Sequence, residues 1–266
     1  MIQSRPVTRG ARYSPRRRAL QRHGAPLALA AFVAFGGGAV LGAQHTPAEQ
    51  DAAEQYVQAW EDRDYAAMHA LLSQTSQKNV RLEDFVAAHE RAAATSTGIA
   101  VIAGEPGEPR DDTVAVPLRV RTKMFGLVRR TLVLPFTEED GEARIAWDEH
   151  LTFPGVRRGE ELTRETRLPP RATLTAADGT VLAKGEDRAA ADTELAASIR
   201  GEMGPIPEER REELRAKGVP SDARVGISGL ERALDDELRG KPGGVLLAGG
   251  RALAQADPVR AKAVRS

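Results

Sequence analysis

"TVAVPLRVRTKMFGLVRRTLVLPF", residues 113–136, alternates apolar and polar positions on both sides of a glycine. Val114, Val116, Leu118 and Val120 fall on one face of an extended chain, the period-two signature of a half-buried strand. Gly126 is available for a tight hairpin, so the stretch predicts two antiparallel strands. "GIAVIAG" (98–104) before it and "ARIAWDEHL" (143–151) after it read as one further strand each. Asp140-Gly141 supplies the hairpin signal between the last two.

Working back from this sheet, the period becomes helical. "HTPAEQDAAEQYVQAWEDRDYAAMHALL" (45–72) starts with Thr46 and, three residues on, Glu49, the spacing of a capping box, with Pro47 at the first helical position. Ala53, Tyr56, Val57 and Trp60 then share a face. Asp64 reads as the cap of a second short helix carrying Met68, Leu71 and Leu72. "LEDFVAAHERAAA" (82–94) puts Leu82, Phe85, Val86 and His89 on one side of a third. Residues 47–154 are therefore expected to form one α+β domain, three helices packed on a curved antiparallel sheet of about four strands.

The first 43 residues have another character. Residues 1–24 carry seven arginines and no acid, and 25–43, "APLALAAFVAFGGGAVLGA", are 19 residues without a charge. At about 1.5 Å per residue such a stretch just crosses a hydrocarbon layer of roughly 30 Å. The positive-inside rule places the arginine tail in the cytoplasm and everything after Ala43 outside. The length favours a transmembrane anchor, while Gly42-Ala43 leaves signal-peptide cleavage open. Over all 266 residues, 38 Lys+Arg balance 38 Asp+Glu, which argues for neither a nucleic-acid nor an acidic partner, and no nucleic-acid partner is expected. There is no cysteine, so disulfides, thiolate metal sites and cysteine nucleophiles are excluded.

Beyond Pro154-Gly155 the texture changes again. "LPPRATLTAADGTVLAKG" (168–185) reads as two short strands around a two-residue Asp178-Gly179 turn. "DTELAASIRGEMG" (192–204) and "PEERREELRAKG" (207–218) read as short helices, the second ended by Gly218, with Glu208–Arg211 and Glu212–Arg215 pairs on a solvated face. "ISGLERALDDELRG" (227–240) reads as one helix, with Ser228 and Glu231 as a capping box and Leu230, Leu234 and Leu238 on one side. "GGVLLAGGRALAQ" (243–255) closes with a hairpin of strands.

The order of these pieces resembles the N-terminal half of actinobacterial penicillin-binding proteins. "AWEDRDYAAMHALLS" (59–73), "VPLRVRTKMFGLVRRTLVLPF" (116–136) and "IAWDEHLTFPGVRRGEEL" (145–162) are similar to the nuclear-transport-factor-like domain at the front of methicillin-resistance penicillin-binding proteins. "RATLTAADGTVLAKG" (171–185) and "GISGLERALDDELRGKPGG" (226–244) resemble two motifs of the dimerisation, or pedestal, domain that follows it. The resemblance implies an anchor (25–43), the first α+β domain (47–154) and a second α+β pedestal domain (155–266). It also implies a role in penicillin binding, cell-wall synthesis and the response to antibiotics, with a transpeptidase domain or other cell-wall and division proteins as partners. Arg171, Asp178, Gly179, Gly229, Leu230 and Glu231 are the candidate interface residues it implies.

The catalytic signatures of that family are missing from these 266 residues. None of the serines at 4, 14, 73, 76, 96, 198, 221, 228 and 266 has a lysine three positions on, and Lys-Thr-Gly and Ser-x-Asn do not occur. Thr75-Ser76-Gln77-Lys78 is the nearest look-alike, in what reads as a polar loop. His69, His89 and His150 are too scattered for a local metal motif, and His89 on an apolar face reads as a hydrogen-bonded core residue. No catalytic residue, cofactor or metal is expected. The leading expectation is a membrane-anchored, extracytoplasmic, non-catalytic scaffold. The alternative is a small-molecule binder or isomerase using the cone of the first domain. Asp148 or Glu149 would be its base, and Tyr56, Trp60 and Phe85 its walls, although aromatics at that spacing are more often core.

Overall fold

The computed structural model describes residues 47–185, 187–188 and 194–265, which pack as one unit. The segment expected to be an anchor, 25–43, and the Thr46 cap lie outside the described residues. Among the described residues no helix is long and apolar enough to cross a membrane.

Four helices precede the first sheet: α1 (Ala48–Asp62), α2 (Tyr65–Ala70), α3 (Gln74–Asn79) and α4 (Leu82–Ser96). Three were expected. The extra one, α3, starts because the Ser73 hydroxyl accepts the Ser76 amide at 3.1 Å, turning the supposed polar loop into a helix. Asp64 caps α2 as its sequence predicts, accepting from the Ala67 amide at 2.9 Å. The buried face of α4 is Phe85, Ala88, His89, Ala92 and Ser96, with Leu82 left outside at 40% exposure.

The sheet is a meander in the order β1 (Gly98–Ala103), β2 (Thr113–Thr122), β3 (Gly126–Glu139) and β4 (Glu142–Ile145), every pair antiparallel. Its centre is the long hairpin running from Thr113↔Pro135 to Thr122↔Gly126. Val114, Val116, Leu118 and Val120 all face inward, no more than 4% exposed. At the β3–β4 turn Asp140 and Gly141 both have positive φ, 56° and 80°, the backbone that an Asp-Gly pair tolerates best. Strand β4 stops at Ile145, short of the expected 151, because Glu149–Thr152 winds into a 3-10 turn started by Asp148.

Among the described residues the second half contains three small sheets. Strand β5 (Leu162–Arg167) joins a closing hairpin of β10 (Gly243–Ala248) and β11 (Arg251–Ala256) in the order β11-β10-β5. Strands β6 (Leu174–Thr175) and β7 (Val181–Ala183) form the expected hairpin, joined by β12 (Val264–Arg265). Its turn is three residues long rather than two: Gly179 donates to Ala176 at 2.9 Å and takes φ +91°, and Ala176 donates to Thr180. Helix α5 (Glu194–Arg200), β8 (Met203–Pro205), α6 (Glu208–Ala216) and β9 (Arg224–Gly226) follow, β8 pairing with β9. The segment read as one helix is broken at Leu234 into α7 (Gly229–Ala233) and α8 (Asp235–Arg239).

Candidate functional site

The break at Leu234 accompanies a cluster of buried charge. Asp235, at the start of α8, is 2% exposed, and Glu231 on α7 is fully buried. Arg171 reaches both carboxylates: its side chain lies 2.8 Å from Glu231 and 2.9 Å from Asp235. Arg188 pairs with Glu231 at 2.6 Å and also donates to the Ala172 carbonyl. Arg210, from α6, lies 2.9 Å from Asp235, and Arg239 from α8 itself lies 2.5 Å away. Asp236 takes the outer end of Arg239 and holds Lys217 at 2.5 Å. Two buried carboxylates thus gather four guanidinium groups from the β6 lead-in, the segment after β7, α6 and α8.

Burial alone would push the Asp235 carboxyl up. The Gly226 amide, donating at 3.0 Å, the charges of Arg239 and Arg171 and the hydrogen bond from Arg210 outweigh it, and Asp235 is held below the usual carboxylate range. Two glycines let the backbones come close enough. A Cβ on Gly226 would sit 1.9 Å from the Glu231 carbonyl oxygen, and one on Gly229, at φ +55°, would sit 2.7 Å from Gly201 Cα. The expected capping box does not form. Ser228 instead accepts the Glu202 amide at 2.9 Å, and Glu231 is drawn inward by Arg171 and Arg188.

Of the six candidate interface residues, Arg171 and Glu231 therefore meet each other inside the fold. Gly229 packs on Gly201, and Leu230 is half-buried against the apolar cluster of Leu174, Leu182 and Leu238. Asp178 and Gly179 are exposed at the hairpin tip, where the Asp178 carboxylate accepts the Thr180 amide at 2.9 Å. The sequence missed Asp235, Arg188, Arg210 and Arg239. Arg210 lies inside the charged run 208–215 that the sequence reads as a solvated face, and of the two pairs predicted there the Glu208–Arg211 pair forms, at 2.5 Å.

A second feature joins the halves of the fold. Ala92, Val120, Val128 and Phe153 from the first half share an apolar core with Leu246, Ala248 and Leu253 from the closing hairpin. Polar contacts border it. Arg164 on β5 donates to the carbonyls of Ala94 (3.1 Å) and Thr95 (2.9 Å) in the last turn of α4, where the helix dipole favours a cation. Arg251 bridges the Gly155 carbonyl and Glu160, both at 2.8 Å.

Thr75 and Lys78 lie exposed on α3, while the Ser76 hydroxyl is buried and bonded to the Trp147 amide at 2.9 Å. No group of three or more His, Asp or Glu side chains could hold a metal among the described residues. The cone is filled by Tyr56, Met68, Leu72, Phe85, Leu118, Leu134 and Ile145, so Tyr56 and Phe85 are core. Asp148 lies outside this core, beside His150 and Arg158. Partial burial works against its charge, but hydrogen bonds from His150 and the charge of Arg158 hold it below the ordinary range. That is a surface carboxylate, not a base tuned upward. His89 is buried as expected but has no hydrogen-bond partner.

A helix-covered, curled antiparallel sheet followed by a smaller α+β unit with a buried arginine–carboxylate cluster defines a two-part, NTF2-like architecture. Residues 48–160 match the NTF2-like N-terminal transpeptidase domain family, and residues 152–250 match the penicillin-binding protein dimerisation domain family. The chain thus carries the two non-transpeptidase domains of penicillin-binding proteins, in that order, and no transpeptidase domain matches within the 266 residues. The two matches overlap at 152–160, which includes the seam residue Phe153. No curated protein matches the chain.

Proposed function

We propose that this chain is a membrane-anchored, extracytoplasmic module of a penicillin-binding protein, serving as a spacer and docking platform for peptidoglycan transpeptidation. The observation that carries the reading is the shared core of Phe153, Val120 and Val128 with Leu246 and Leu253. A spacer works only if its parts keep a fixed relation, and a shared apolar core of this kind makes two domains move together. The exposed hairpin tip at Asp178-Gly179, together with Gly229 and Leu230 on α7, is the proposed contact region for the transpeptidase domain or another cell-wall protein. Arg171 and Glu231 support that region from within. The uncharged segment 25–43 behind seven arginines supports the anchor and the outward orientation.

Two measurements test this. The full chain, expressed in a bacterial host, is expected in the membrane fraction and digested by protease added to intact spheroplasts; a protected cytosolic product contradicts the placement. Incubated with labelled penicillin, the purified chain is expected to give no covalent band, because no serine has the lysine partner that acylation requires. A band on any hydroxyl contradicts the non-catalytic reading.

A further inference from the structure

The filling of the cone is incomplete at one rim. Between α1, α4, β1 and β2 lies a cavity of about 250 Å³, walled by Trp60, Tyr65, Val101 and Phe153, with His89 on its buried side. The imidazole is 2% exposed, and neither ring nitrogen has a hydrogen-bond partner. Its neighbours are rings: Phe85 at 4.6 Å, Trp60 at 5.0 Å and Tyr65 at 5.4 Å between centroids. Burial lowers its pKa to about 3, so at neutral pH it presents one donor and one acceptor.

A buried polar group left without a partner costs about 1–3 kcal/mol, and a leucine at position 89 would serve a purely structural core better. The imidazole is therefore explained by something that enters the cavity. Size and charge narrow the choice. An apolar cavity of about 150 Å³ already admits a benzene-sized ring. The rim carries Glu61, Arg63 and Glu90. Arg63 is tied to the Ile99 carbonyl at 2.5 Å and Glu61 to the Ala103 amide. The two carboxylates oppose an anion, and a cation would shed its water against a neutral ring and apolar walls.

We propose that this cavity binds a small, uncharged, planar molecule whose single hydroxyl or N–H group hydrogen-bonds to His89. The site is independent of the scaffold reading, since it needs only the first domain's rim. Because Phe153 belongs both to its wall and to the seam, an occupant also props the junction of the two domains.

Phenol is the probe, titrated into the full chain in detergent. Trp60 and Trp147 are the chain's two tryptophans, and their rings lie 5.0 and 6.4 Å from His89, so emission reports the site directly. Phenol is expected to change the emission saturably and to raise Tm, with benzene, which lacks the polar group, binding about tenfold more weakly, a ratio worth about 1.4 kcal/mol. His89→Leu is expected to raise Tm without ligand and to weaken phenol binding about tenfold, to the level of benzene. Ala93→Phe, at an exposed rim position, is expected to weaken binding at least tenfold, and it keeps the test decisive should His89→Leu fold poorly. No saturable response in the unaltered chain, or equal binding of phenol by His89→Leu, overturns the proposal.

Discussion

The two halves of this molecule solve one problem, holding short elements together without disulfides, by opposite means. The first half packs its helices onto the sheet with an almost entirely apolar interior: Tyr56, Met68, Phe85, Leu118, Leu134 and Ile145 are all no more than 1% exposed. Outside the β11-β10-β5 sheet, the second half has strands of two or three residues and helices of five to nine, too short to present much apolar surface, and it ties them with Arg171, Arg188, Arg210 and Arg239 around Glu231 and Asp235. The apolar half tolerates loss of shape gradually. The charged half does not, because each guanidinium and carboxylate has given up water and depends on its partners.

The largest contrast is expected from Asp235→Ala. Removing the carboxylate leaves three arginines and the Gly226 amide without their shared acceptor, and a loss of about 3–5 kcal/mol is expected on chemical denaturation. Comparable destabilisation by Leu230→Ala, a half-buried apolar residue beside it, would show that packing rather than charge holds this half.

Acid separates the halves by a smaller, graded effect. In the unfolded chain His89 accepts a proton near pH 6.5, whereas in the fold it stays neutral down to about pH 3. Its contribution is full above about pH 6.5 and drains away as pH falls towards 3. Asp235, also depressed, starts to matter only below about pH 4, so its contribution is lost as pH falls further, through its folded value. Tm measured against pH is therefore expected to decline first through the His89 window, and His89→Leu is expected to flatten that part of the curve. An unchanged curve in the variant would remove His89 as the cause.

The smallest effect is expected where charge is not buried. Arg211 and Glu208 pair at 2.5 Å on the exposed face of α6, and Arg211→Ala is expected to shift stability by less than about 0.5 kcal/mol. A shift near that of Asp235→Ala would blur the distinction between the buried cluster and ordinary surface pairs.

The same contrast decided what the sequence could disclose. Elements governed by local chemistry were legible: the alternation of Val114 to Val120, the Asp140-Gly141 turn, and the Asp64 cap of α2. Strand β5 was not, because "LTRETR" has no apolar run and becomes a strand only by pairing with Val245 and Leu246, about 80 residues on. Nor was the break at Leu234, since α7 and α8 are periodic enough to continue as one helix and are parted where Asp235 turns to arginines far away in sequence. Arg171 and Glu231 were singled out through motif resemblance, and nothing local could reveal that they meet across 60 residues. For His89, the helical face predicted burial, but a missing hydrogen bond is a property of everything around the ring.

The account rests most heavily on the seam, where the apolar half and the charged half share Phe153, Val120, Val128, Leu246 and Leu253. Both tryptophans, Trp60 and Trp147, belong to the apolar half, so their emission follows that half alone, whereas far-ultraviolet circular dichroism follows both. Thermal unfolding of the full chain is expected to give coincident midpoints by the two probes, and Phe153→Ala, which opens the seam, is expected to part them. Separate midpoints in the unaltered chain would contradict a single two-domain support.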